Sequence, residues 1–163
     1  MWKLALPATA ALVAAVAWTG AGNGPARAEP HGLGPGPLVV RLVADMSAGR
    51  YDHAWLTLHP AHRRLASRWE YASCESLVPF GDVESMTVLD VTRTTVVVPG
   101  VARPAPGAAV TVRIELWRPA GAPRLEVTHT AHVVRTATGW AWMLPAEGLA
   151  NYRADRCPAD PSA

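Results

Sequence analysis

Apolar positions along this chain follow a helical period in its first half and a period of two in its second. Leu38, Val39, Leu42, Val43 and Met46 recur at helical spacing, with Pro37 suited to a first turn and Gly49 to a C-terminal stop. Tyr51, Trp55 and Leu58 share the face of a second helical segment. His59-Pro60 interrupts it, because proline disfavours the helical state in the preceding residue, and Pro60 can open a further turn through Leu65. Ser67 and Glu70 form a capping box for a third helix from Arg68 to about Leu77, ended by Pro79. From Val83 onward the pattern alternates. Val83 to Val98 is β-branched, long enough to need a bend, and closes on a Pro99-Gly100 turn. In Ala109 to Trp117, Val110, Val112, Ile114 and Leu116 face one way and Thr111, Arg113 and Glu115 the other. Leu125, Val127, His129, Ala131 and Val133 share one face of the next strand, and Thr138-Gly139 turns the chain into Trp140 to Leu144. A short helical turn near Glu147 to Arg153 carries it toward Cys157. The expected fold is α+β: three N-terminal helices packed on a curved antiparallel four-stranded sheet.

The first 28 residues read as a secretory signal peptide. Lys3 precedes an apolar run from Leu4 to Trp18, and Ala26-Arg27-Ala28 closes it as an A-x-A cleavage site. The run is shorter than the roughly 20 residues a permanent span needs, so no stable membrane span is expected after cleavage. The expected organisation is a signal peptide over 1–28, a flexible lead-in over 29–36, one domain over 37–158 and a tail over 159–163. Of the 15 basic residues Lys3 and Arg27 belong to the leader, so the rest balance the 13 acidic ones. A near-neutral domain argues against nucleic acid as a partner.

Export places Cys74 and Cys157, the only two cysteines, in an oxidising compartment, where one intramolecular disulfide is expected. The alternatives are two buried thiols or an intermolecular bridge. A loop of this length stabilises by roughly 4–5 kcal/mol in the chain-entropy picture.

The order of elements resembles the nuclear-transport-factor-2-like cone fold, the superfamily of ketosteroid isomerase and the SnoaL-like polyketide cyclases. A narrower resemblance, to small secreted actinobacterial proteins of that fold, rests on particular residues. These are Gly49-Arg50-Tyr51 with Ala54-Trp55, Leu58-His59-Pro60-Ala61-His62, Cys74, the pair Trp140 and Trp142, and Tyr152-Arg153 before Arg156-Cys157-Pro158. The resemblance implies a cone-shaped sheet whose pocket holds a ligand or is filled by side chains. Isomerases of the superfamily use a general-base aspartate with tyrosine and protonated-acid oxyanion donors. That set has no residue-by-residue counterpart here.

The candidate chemistry is sparse. His59 and His62, and His129 and His132, stand three apart, but on a strand such positions face opposite sides, so the second pair cannot hold one ion and no metal or cofactor is expected. His62 is expected to face solvent. His129 lies on an apolar face and is the candidate titratable group of a pocket, with Trp55, Trp140 and Trp142 as its walls. Otherwise it is a core histidine bonded to backbone. Trp55, Trp69, Trp140 and Trp142 are expected in the core, and Trp117 on a polar face as a possible contact point. Arg63, Arg64 and Arg68 read as a solvated cluster balanced by Glu70 and Glu75. No G-x-S-x-G elbow or phosphate-binding glycine loop is present. The leading expectation is a secreted, non-catalytic domain that binds a small apolar ligand or an envelope protein. The alternatives are a pocket isomerase, dehydratase or cyclase with His129 as base, and a structural domain with a filled core.

Overall fold

The computed structural model describes residues 32–77, 80–119, 122–123 and 125–157. The expected signal peptide over 1–28, the start of the expected lead-in, Pro79 and the expected tail over 159–163 lie outside the described residues. The protein is α+β. Helices α1 (Pro35–Ser47), α2 (Tyr51–Leu56), α3 (Pro60–Arg63) and α4 (Arg68–Glu75) precede strands β1 (Val83–Val96), β2 (Ala105–Leu116), β3 (Leu125–Thr136) and β4 (Gly139–Trp142). Helix α5 (Ala146–Arg153) follows the sheet. The strands form one antiparallel sheet in the order β1-β2-β3-β4.

Three N-terminal helices were expected; among the described residues there are five, because the expected turn from Pro60 is the separate helix α3 and the expected turn near Glu147 to Arg153 is α5, after the sheet. The break in the first half falls at His59-Pro60, as expected. The His59 side chain accepts the Ala61 amide hydrogen as an N-cap, and Pro60 occupies the first position of α3. The residues around this break also join the sheet. Trp142 donates its amide to Thr57 O at 3.0 Å, and its carbonyl accepts from His59 N at 2.8 Å. Helix α1 begins two residues ahead of Pro37, taking in part of the expected lead-in, and Gly49 follows its C-cap at φ 68°. The Ser67–Glu70 capping box starts α4 as expected. It sets a phase in which Tyr71 and Cys74 turn inward and leaves Trp69 79% exposed, not in the core.

One layer of the core lies between α1 and the sheet. Leu38, Val39 and Val43 pack on Ala108, Val110, Val112 and Ile114 of β2 and Val133 of β3. This is the apolar row that the alternation marked. A second cluster joins the helices to each other through Leu42, Tyr51, Leu58, Tyr71, Leu144 and Tyr152. The Cys74–Cys157 disulfide, with Cα atoms 5.0 Å apart, ties the C-terminal segment to α4 beside it. A third, smaller cluster of Val98, Val134 and Ala141 sits on the opposite sheet face, where the β1–β2 connection folds over β3 and β4. Elsewhere that face is polar. Thr111 and Thr130 hydroxyls meet at 3.1 Å, and Arg113 pairs with Glu126 at 3.3 Å.

Strand β2 starts at Ala105, four residues before the alternation became clear, because Gly107 allows a close approach there. A Cβ on Gly107 would stand 2.3 Å from Val96 Cγ2 and 2.6 Å from the Val133 carbonyl. Only glycine lets the three strands meet at that point.

Candidate functional site

A cavity of about 760 Å³ lies between α1 and the inner face of β2 and β3. Helix α1 supplies Val39, Leu42, Val43 and Met46, and Phe80 adds a further wall. The sheet supplies Val112, Ile114, Val127, Ala131, Val133 and Trp142. The floor follows from register: Val112 pairs with His129, Ile114 with Val127 and Val110 with Ala131, so β2 and β3 present one continuous row. The cavity does not stop at this face. It passes round the edge of β3 to reach Thr130, His132, Met143 and Pro145. No carboxylate, ammonium or guanidinium is among its lining residues; His129 and His132 are its titratable groups.

The hydrogen bonds of Trp142 define how β4 meets β3. Both main-chain polar groups of Trp142 are directed at Thr57 and His59, so the facing pair Val133–Trp142 is not a hydrogen-bonded one. On the same side of the chain as these Trp142 bonds, Leu144 N–H donates to His62 Nδ1 at 3.0 Å. The other ring nitrogen of His62 lies 2.9 Å from the Pro99 carbonyl. Because Nδ1 accepts, Nε2 must carry the proton and donate. The ring is thus a neutral imidazole that bridges the Pro99 and Leu144 main chains just beyond the end of β4. Burial lowers the pKa of His62, with nearby Arg153 acting the same way and the Pro99 bond opposing.

His62 was expected to face solvent; it is 1% exposed. The helix it belongs to is too short to show a periodicity, so no sequence signal marked it. His129 and Trp142 line the cavity, whereas Trp55 and Trp140 are not among its walls. Trp55 donates its indole N–H to Ala66 O at 3.0 Å and stacks beneath Arg63 at 5.6 Å. Trp140 lies under the Arg135 guanidinium at 5.5 Å. Trp142 donates to Ala54 O at 3.1 Å, which holds its ring between cavity and helical core. His129 shares the apolar face of β3 but is exposed, because α1 covers β2 and leaves this part of β3 open. His129 and His132 do point to opposite sides of the strand, yet both line the cavity because it wraps the edge. Trp117 is 56% exposed on its strand end.

The basic residues near the helix junction find partners other than those expected. Arg68 pairs with Asp52, and this bond holds the Asp52 carboxyl below its usual pKa. Glu75 instead accepts from the Tyr152 hydroxyl at 2.9 Å. Burial raises the Glu75 pKa and that bond lowers it in part. Tyr71 stacks on Tyr152 with ring centroids 6.1 Å apart, and its own buried hydroxyl has no partner among the described residues. This cluster lies in the helical core beside the disulfide, away from the cavity.

No protein-family model and no curated protein sequence matches this chain. Among the described residues no helix is long and apolar enough to cross a membrane, and no group of three or more His, Cys, Asp or Glu residues is placed to hold a metal. The disulfide fits an oxidising, extracytoplasmic environment.

Proposed function

We propose that this protein is a secreted binding domain of the cone-fold type that holds a small apolar ligand between α1 and the β2–β3 floor. The observation that carries the reading is the cavity: about 760 Å³, apolar on α1 and on the sheet, and free of permanently charged side chains among its lining residues. Its volume lies inside the range of small-molecule sites. The signal-like first 28 residues and the disulfide support export.

The reading stays with binding and does not extend to catalysis. A base at His129 needs a second group to orient its ring or to polarise the substrate. No carboxylate or phenol is among the cavity's lining residues.

The test is native mass spectrometry of the exported protein together with titration of the apolar fluorophore N-phenyl-naphthylamine. The expected result is saturable probe binding with quenching of tryptophan fluorescence, since Trp142 is a wall. A protein that carries no adduct and gives no saturable probe binding sinks the reading and returns the domain to surface recognition.

A further inference from the structure

Among the lining residues, His129 is the one ionisable side chain on the inner floor of the cavity. It stands opposite Val112, which is fully buried under α1, and directly opposite residues of a ladder share a face. One position along, the Thr111 and Thr130 hydroxyls meet at 3.1 Å on the outer face, which fixes the same alternation. The next inward residues of β3 on either side are Val127 and Ala131, so the floor around the ring is apolar. No described residue bonds to the His129 imidazole, and the residue is exposed. Other histidines are engaged: His62 with Leu144 and Pro99, His59 as the cap of α3, and His53 at 3.9 Å from both Asp45 and Asp52. His132, the second titratable lining residue, stands opposite Ala109 and belongs to the outer side. The charged groups of neighbouring elements do not reach the chamber. Arg41 and Asp45 of α1 pair with each other, and Arg113 of β2 pairs with Glu126 of β3 on the outer face. Neither Glu115 of β2, nor Arg93 of β1, nor Asp82 near Phe80 is among the lining residues.

We infer that the ligand is an apolar organic acid, its body in the chamber and its anionic head against the His129 imidazole. The inference rests on the cavity reading above and names the chemistry of its occupant. The choice of head group follows from what the ring can do. A wholly apolar ligand lying over the ring takes water from a polar group and returns no hydrogen bond. An ammonium or guanidinium head finds no carboxylate in the lining, and once the ring is protonated it meets a like charge. A carboxylate accepts an N–H from the neutral imidazole, and from the imidazolium it accepts a charge-assisted bond about twice as strong. With no acidic side chain in the lining to take that hydrogen, the ligand's own anion is the ring's partner. Because α1 covers β2 and leaves His129 exposed, the head keeps part of its hydration, which lowers the cost of placing a charge there.

The test sets N-phenyl-naphthylamine against anilinonaphthalene sulfonate, the same skeleton with one permanently ionised acid added, on the exported protein. The sulfonate stands in for the carboxylate, so that only the protein titrates, and competition between the two dyes checks that they share a site. Imidazole is the side chain that changes charge between about pH 8 and about pH 5.5, so the preference for the sulfonate over the uncharged dye should rise about fivefold across that window. The rise should vanish in His129→Gln and persist in His132→Gln. In His129→Lys the preference should stay high at both ends, because the lysine charge is present throughout. His62 is untouched in every variant, so any loosening of the fold in acid is common to all of them. A preference that ignores pH, that rises equally in His129→Gln, or that flattens in His132→Gln instead overturns the inference and leaves the apolar cavity standing. Dyes that do not compete for one site overturn it as well. If N-phenyl-naphthylamine itself does not bind, the cavity reading fails and takes the inference with it.

Discussion

The imidazole of His62 accepts the amide hydrogen of Leu144 at 3.0 Å, a contact between residues 82 positions apart. It fixes the segment between β4 and α5 against α3 and, through Pro99, against the β1–β2 connection. One neutral ring sets the shape of the cavity rim, since Pro99 and Leu144, its two partners, are both lining residues.

Stability should therefore fall in mild acid. Burial places the folded pKa of His62 below its ordinary 6.5, so the unfolded chain binds the extra proton first. The stabilisation is fully present above pH 6.5 and is lost as pH falls below that value toward the folded pKa. Urea unfolding across this window should show a smaller pH dependence in His62→Gln than in the parent. Equal slopes would place the acid sensitivity elsewhere. His62→Ala, which removes both bonds and leaves a hole, should cost about 3 kcal/mol at neutral pH.

Reduction of the Cys74–Cys157 bridge should lower stability by about 3–5 kcal/mol, because it frees a long loop in the unfolded chain. The Cys74→Ser variant should show the same urea midpoint with and without reductant. A midpoint in the parent that ignores reductant would remove the bridge from the stability account.

Asp45 is the buried charge of the α1–α2 corner. Its carboxylate is 6% exposed, accepts from Arg50 Nε at 2.9 Å and faces Arg41 Nε at 3.6 Å. Arg50→Ala should destabilise by about 1–2 kcal/mol, less than a fully buried pair because Arg50 is half exposed. The double variant Asp45→Asn/Arg50→Ala should recover part of that loss. Additive losses in the cycle would show that the two side chains do not interact.

Filling the cavity should abolish binding without unfolding the domain. Ala131 sits on the cavity floor near the open edge, where a larger side chain has room to enter. Ala131→Phe should weaken N-phenyl-naphthylamine by about tenfold or more while the thermal midpoint moves by only a few degrees. Unaltered affinity would move the probe site off the β2–β3 floor.

Much of this architecture is legible in local pattern. The alternation from Val110 to Leu116 marks the inward row of β2, and Leu125 to Val133 marks its partner. The Ser67–Glu70 box starts α4 where it should. The cysteines pair with each other. Trp69 shows the limit of such reading: its apolar character pointed inward, yet the phase set by the cap two residues earlier points it out.

The sequence by itself determined which residues form helices, which form strands and which strand face is apolar, because these follow from periods of a few residues. Tertiary structure alone decided that His62 is buried, that β4 stops at Trp142 and that β3 keeps an open edge beside a cavity. Those outcomes depend on contacts between segments far apart in the chain. His59 and Leu144 find their partners far along the chain, and no local spacing records such a choice.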